Sequence, residues 1–146
     1  MPMPSKSISD KRQKCMQKEN SMDLLLKYCK DINDWPNSWE IDHADIKVGE
    51  ALLEEFKLFL IEKIEQGRAK KTINTYTRYL WALGGELIRQ INTYDDDRKL
   101  TTKELLLNSI DESGGPYWLH AFDELQHRQY DSVCRLLYKF MVDKSG

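Results

Sequence analysis

RAKKTINTYTRYLWALGGELIRQIN, residues Arg68 to Asn92, is the stretch on which the fold turns. Ile73, Tyr76, Leu80, Leu83, Leu87 and Ile91 recur at spacings of three and four, the period that puts side chains on one face of an α-helix. Burying such a side chain stabilises a fold by roughly 1.5–3 kcal/mol, most of which chain entropy takes back. The opposite face carries Lys71, Thr75, Arg78, Ala82 and Arg89; it is basic, and its uncharged members are small. One helix therefore offers an apolar stripe to a core and a positive stripe to the outside. Gly84 and Gly85 lie inside it at about 1 kcal/mol each relative to alanine, which implies either a bend or a neighbour that packs closely.

Working outward, EALLEEFKLFLIEKIE predicts a preceding helix over about residues 50–65, with Gly49 as its cap and Gly67 as its end. Leu52, Leu53, Phe56, Phe59 and Leu60 form its apolar arc. Leu58 and Ile61 fall outside that arc, which fits either a deeply buried helix or a second contact surface for a protein partner. Further upstream, residues 1–20 are polar and read as a fraying arm. Ser21 caps a short helix with Leu24, Leu25 and Tyr28, and Asn33 to Asp42 read as an extended connection. Trp35 and Trp39 are expected to fold that connection back onto the core.

Downstream, Asp95-Asp96-Asp97 reads as a solvated loop whose spacing matches no calcium site. Thr101 and Glu104 have the spacing of a capping box, opening a short helix to about Ile110. Gly114-Gly115-Pro116 is a break, with Pro116 suited to a helix start and Tyr117, Trp118, Leu119 and Phe122 entering the core. A last helix to about Met141 sets Tyr130, Val133, Leu136, Leu137 and Phe140 on one side and Arg128, Arg135 and Lys139 on the other. The pattern is all-α, four main helices with shorter ones.

The 146 residues suffice for one domain with a substantial core. Net charge is −2, which excludes a uniformly basic nucleic-acid binder, but the charge is unevenly placed. Residues 1–30 carry +4 and residues 67–94 carry +4, against −7 for residues 31–66 and −3 for residues 95–146. The two positive blocks are where a polyanion is welcome.

Cys15, Cys29 and Cys134 are an odd, scattered set unlike a disulfide framework, so the expected setting is a reducing cytoplasm. No apolar run approaches the roughly 18 residues of a membrane span. His43, His120 and His127 lack metal-ligand spacing, and no cofactor or metal is expected. There is no phosphate loop and no nucleophile elbow. Tyr130 and Tyr138 lie in an amphipathic helix without a His-x-x-Arg partner, so they read as structural and the chain as no enzyme.

EEFKLFLIEKIEQGRAKKTINTYTRYLWAL, residues 54–83, and HRQYDSVCRLLYKFM, residues 127–141, together resemble the N-terminal core-binding domain of tyrosine recombinases and phage integrases. The parts that correspond are an apolar helix, a short polar link, a Thr-x-x-x-Tyr helix and a late basic helix ending in aromatics. The resemblance spans about residues 48–142. It implies a SAM-like four-helix unit that clamps one face of DNA, here with an extra N-terminal helix or arm. With the segments already read upstream, the chain divides into an arm (1–20), a short helix and extended connection (21–47), the core-binding-like domain (48–142) and a tail (143–146). It implies DNA contacts, largely to phosphates, at Lys70, Lys71, Thr72, Asn74, Thr75 and Arg78, and at Arg128 and Arg135. The catalytic arginines, histidines and tyrosine of that family have no counterpart in this sequence.

Two functions follow. One is binding of duplex DNA, resting on the start of the helix at Lys70 to Thr75, where unpaired backbone N–H groups, the helix dipole and two lysines form an anion site. The other is a helical protein-interaction module, resting on Leu58, Ile61, the acidic block and the near-neutral total charge.

Overall fold

The computed structural model describes residues 20–118 and 123–145. It is all-α. Helical residues 20–28 (α1) lead through a 3₁₀ turn at Ile32–Asp34 into α2 (Trp35–Trp39), α3 (Asp45–Glu65) and α4 (Lys70–Thr93). A 3₁₀ turn at Asp95–Lys99, α5 (Thr102–Ser109) and α6 (Glu124–Ser145) complete it. Among the described residues there is no strand, only an isolated bridge between Asp111 and Gly114. No helix among them is long and apolar enough to cross a membrane. Residues 1–19 of the arm read over residues 1–20, and Leu119, His120 and Phe122, lie outside the described residues, while Asn20, the last residue of that arm, is helical.

α4 is the central element, packed on α2, α3 and α6. Ile73, Leu80, Leu83, Leu87 and Ile91 are fully buried, as the period-3.6 reading predicts. Tyr76 is half-buried, its ring 5.7 Å from that of Phe59, which in turn lies 5.7 Å from Phe140 of α6. Leu52, Leu53, Phe56 and Leu60 complete the α3 side. Leu25, Ile32, Trp35 and Trp39 belong to the same core, so residues 21–47 and 48–142 share one interior.

The region before α3 departs from the extended connection expected there. Residues 33–42 instead turn through the 3₁₀ segment and α2, with Pro36 in the first helical turn. Proline is compatible with that position, since the N–H it lacks would have no intrahelical partner. α2 seats Trp39 against α4: the indole N–H donates to the carbonyl of Trp81 at 2.9 Å. A Cβ on Gly84 would collide with the Trp39 ring, whereas one on Gly85 would find nothing nearer than 3.6 Å. The glycine pair therefore marks a close neighbour.

Gly49 is a second such contact and no cap. It lies inside α3, where a Cβ would sit 3.1 Å from Pro36. α3 instead begins five residues earlier, at Asp45, whose buried carboxylate organises the turn before it. Its Oδ2 accepts the backbone N–H groups of Ile41 (3.0 Å) and Asp42 (2.7 Å) and the amide of Asn92 (2.9 Å). Its Oδ1 accepts Arg98 at 2.9 Å. Burial alone would raise this carboxyl, but the hydrogen bonds from Asp42, Asn92, Arg98 and Ile41 outweigh it and hold it below the usual carboxylate range.

Smaller departures have simple causes. Ser21 lies within the helix and is buried, so it is no cap. Residues 116–118 are not helical and Tyr117 is exposed; α6 starts at Glu124, with the Asp123 carboxylate accepting from Gln126 N–H at 2.9 Å. α6 then continues through the expected tail as far as Ser145. The capping box at α5 forms as read: Thr101 Oγ1 accepts from Glu104 N–H at 3.2 Å and Glu104 Oε1 accepts from Thr101 N–H at 2.9 Å. Leu58 is half-exposed, which removes the deep-burial reading for it, while Ile61 packs partly against the core.

Candidate nucleic-acid interface

The interface candidate begins where α3 stops. Gly67 adopts φ +82°, the left-handed conformation that suits glycine at a helix end. Arg68 N–H donates to the Lys63 carbonyl at 3.2 Å and Gly67 N–H to that of Ile64 at 2.9 Å, the paired bonds of a Schellman motif. The chain reverses over Arg68 and Ala69 and enters α4 at once. Ala69, the N-cap residue, is extended and has no side-chain acceptor, so no side chain caps the first N–H groups of α4.

Six of the eight residues singled out by resemblance sit on the first three turns of α4. Lys70, Lys71 and Arg78 are exposed, and Thr72, Asn74 and Thr75 are half-buried. Lys70 Nζ lies 5.9 Å from the centre of the Tyr28 ring, a cation–π approach from α1. The Thr75 hydroxyl donates back to the Lys71 carbonyl at 3.1 Å and is thereby oriented. Residues 67–85 contain no acidic side chain. Arg128 and Arg135 are exposed two turns apart on α6. Arg135 donates to the Ser132 hydroxyl at 2.8 Å, which donates to the Arg128 carbonyl at 2.9 Å. The residues thus form two groups on two helices, and a hydrogen bond from the Tyr79 hydroxyl to Gln129 joins those helices.

Two features of the positive face differ from the sequence reading. Ala82 is buried, because a methyl group on that face forms the floor of a cleft walled by Trp39, Trp81 and Trp118. Arg89 is half-buried and pairs with Glu86 at 3.3 Å. Trp81, which the sequence reading does not single out, is 45% exposed; its spacing of three from Arg78 is the signal that was available.

Other chemistry is weakly supplied. Tyr130 is fully buried, and its hydroxyl finds no hydrogen-bond partner among the described residues. Burial, with Cys134 and Glu86 nearby, pushes its phenol well above the ordinary range, the opposite of what a nucleophile needs. Cys29 and Cys134 are free thiols, each pushed up to about 12, chiefly by burial and then by Asp31 and Asp131 respectively. Among the described residues no cluster of histidine, cysteine and carboxylate side chains could hold a metal ion.

Comparison with protein-family models, curated proteins and solved structures finds no match to this chain.

Proposed function

We propose that this chain is a DNA-binding domain, with a SAM-like core-binding fold of the kind that tyrosine recombinases use to clamp duplex DNA, and that it is non-catalytic by itself and works in the cytoplasm. The observation that carries the reading is the start of α4: an uncapped helix N-terminus with exposed Lys70, Lys71 and Arg78 around it and no acidic side chain from residue 67 to residue 85. Unpaired N–H groups and the positive end of the helix dipole favour a phosphate there, and the lysines add mobile charge. Thr72, Asn74 and Thr75 offer short polar side chains beside it. Arg128 and Arg135 extend the surface onto α6. Two free thiols, Cys29 and Cys134, support the reducing setting.

Single substitutions test the surface. Lys71→Ala and Arg78→Ala should each weaken binding on every duplex sequence and flatten the log–log salt slope by about one unit. Both side chains face solvent, so stability should change by less than about 0.5 kcal/mol. Glu54→Ala, on exposed acidic ground, should leave binding unchanged or slightly stronger. Unchanged affinity in both basic variants would remove the α4 surface from the reading.

The second reading, a protein-interaction module, is favoured by Leu58. It is 49% exposed and lies in a shallow cleft with Phe140 and Met141 of α6, rimmed by Glu55, Lys103 and Lys144. An apolar contact there would be nearly indifferent to salt, whereas DNA binding would not.

A further inference from the structure

Trp81 is set apart from the other tryptophans. Trp35 and Trp39 are buried and Trp118 is half-buried, but Trp81 stands 45% exposed on the outer side of α4. It is not loose. Its indole N–H donates to Ser38 Oγ at 2.9 Å, and its carbonyl accepts the indole N–H of Trp39 at 2.9 Å, so α2 fixes both ring and backbone. The ring is a wall of two clefts. One, of about 370 Å³, is shared with Trp39, Trp118 and Arg89. The other, of about 330 Å³, is shared with Trp35, Thr77 and Arg78. A held aromatic ring with open space and an arginine in each adjoining cleft suits a planar, electron-rich ligand.

The acidic groups in these clefts decide which part of a nucleic acid enters them. Glu86 faces Arg89 at 3.3 Å, Glu40 lies 3.7 Å from His43, and Asp31 accepts the Cys29 thiol at 3.3 Å. Carboxylates on the walls repel phosphate but tolerate a neutral base. Phosphate is better served by Lys71, which lines neither cleft.

We propose that Trp81 stacks on an unpaired nucleobase, giving the basic face of α4 a subsite for single-stranded or locally opened DNA. The proposal rests on the DNA-binding reading and deepens it. In an intact duplex the bases are stacked on one another, so Trp81 contributes to single-strand binding and little to duplex binding.

The test measures anisotropy of a labelled twenty-nucleotide oligo(dT) and of a thirty-base-pair duplex at low salt, with the wild-type chain, Trp81→Leu and Trp81→Phe. Leucine keeps apolar bulk without a ring; phenylalanine keeps a ring. Trp81→Leu should bind oligo(dT) about tenfold more weakly, in the range expected for loss of one stacked base, while duplex affinity stays within about twofold. Trp81→Phe should retain most of the single-strand affinity. As a check independent of folding in the leucine variant, oligo(dT) should quench wild-type tryptophan fluorescence, and the quench should shrink in Trp81→Phe although it still binds. Equal affinity of the leucine variant and wild type for oligo(dT), or an equal loss on both ligands, would overturn the stacking role and leave duplex binding standing. Failure of the wild-type chain to bind either ligand would overturn both.

Discussion

At the scale of the residue, adjacent glycines do different work. Gly84 faces the Trp39 indole so closely that any side chain displaces it, whereas Gly85 has ordinary contact distances around it. Gly84→Ala should therefore cost about 1–3 kcal/mol through overpacking. Gly85→Ala should gain about 0.5–1 kcal/mol, because alanine is the better helix former and its methyl group fits. Urea unfolding midpoints of the two variants check this, and the opposite order would show that Trp39 does not seat against Gly84. The glycine pair was legible in the sequence as a bend or a close approach, and the indole that decides between them lies 45 positions upstream of Gly84, beyond any local pattern. Trp81 was illegible for a related reason. An indole at the margin of an apolar stripe fits the core as well as the surface, and only the position of Ser38 and Trp39 settles which.

At the scale of the element, α3, α4 and α6 were legible because each carries an apolar stripe over many turns. α2 was not. Its five residues include a proline and an asparagine, which signal turns as readily as a first helical turn. The start of α3 was missed because Gly49 looked like a cap, and the residue that organises the start is a buried acid four positions earlier. Asp45 joins the turn before α3 to Asn92 near the end of α4 and to Arg98 in the following 3₁₀ turn. Its carboxyl is held below the usual range in the folded chain, so its contribution is present above the unfolded pKa of about 3.9 and is lost as pH falls through the folded value. Asp45→Asn should cost about 1.5–3 kcal/mol near neutrality, as expected for hydrogen bonds to a charged group. It should also flatten the fall in stability below about pH 4. Denaturation at stepped pH separates these outcomes: a variant that loses stability with acid as steeply as the wild type would mean that Asp45 is not the responsible group.

At the scale of the whole molecule, charge is segregated. Residues 31–66 carry the acidic excess, and the positive block begins at the link into α4. The exposure of Lys71, Arg78, Arg128 and Arg135 was legible from helical spacing alone. Their grouping on two helices depends on how α4 and α6 pack, through Tyr79 and Gln129, which no local spacing specifies. On the proposed DNA-binding reading a surface of this size would neutralise about four to six phosphates, so binding to duplex DNA should fall with a log–log salt slope of roughly −4 to −5. The dissociation constant should be about 10⁻⁴–10⁻⁶ M at physiological salt, the range of contacts made mainly to phosphates. The most direct measurement is therefore a titration of a thirty-base-pair duplex with the wild-type chain from about 50 to 200 mM salt. Binding should weaken steeply along that slope; no binding at the lowest salt, or binding that salt leaves unchanged, would contradict the DNA-binding reading.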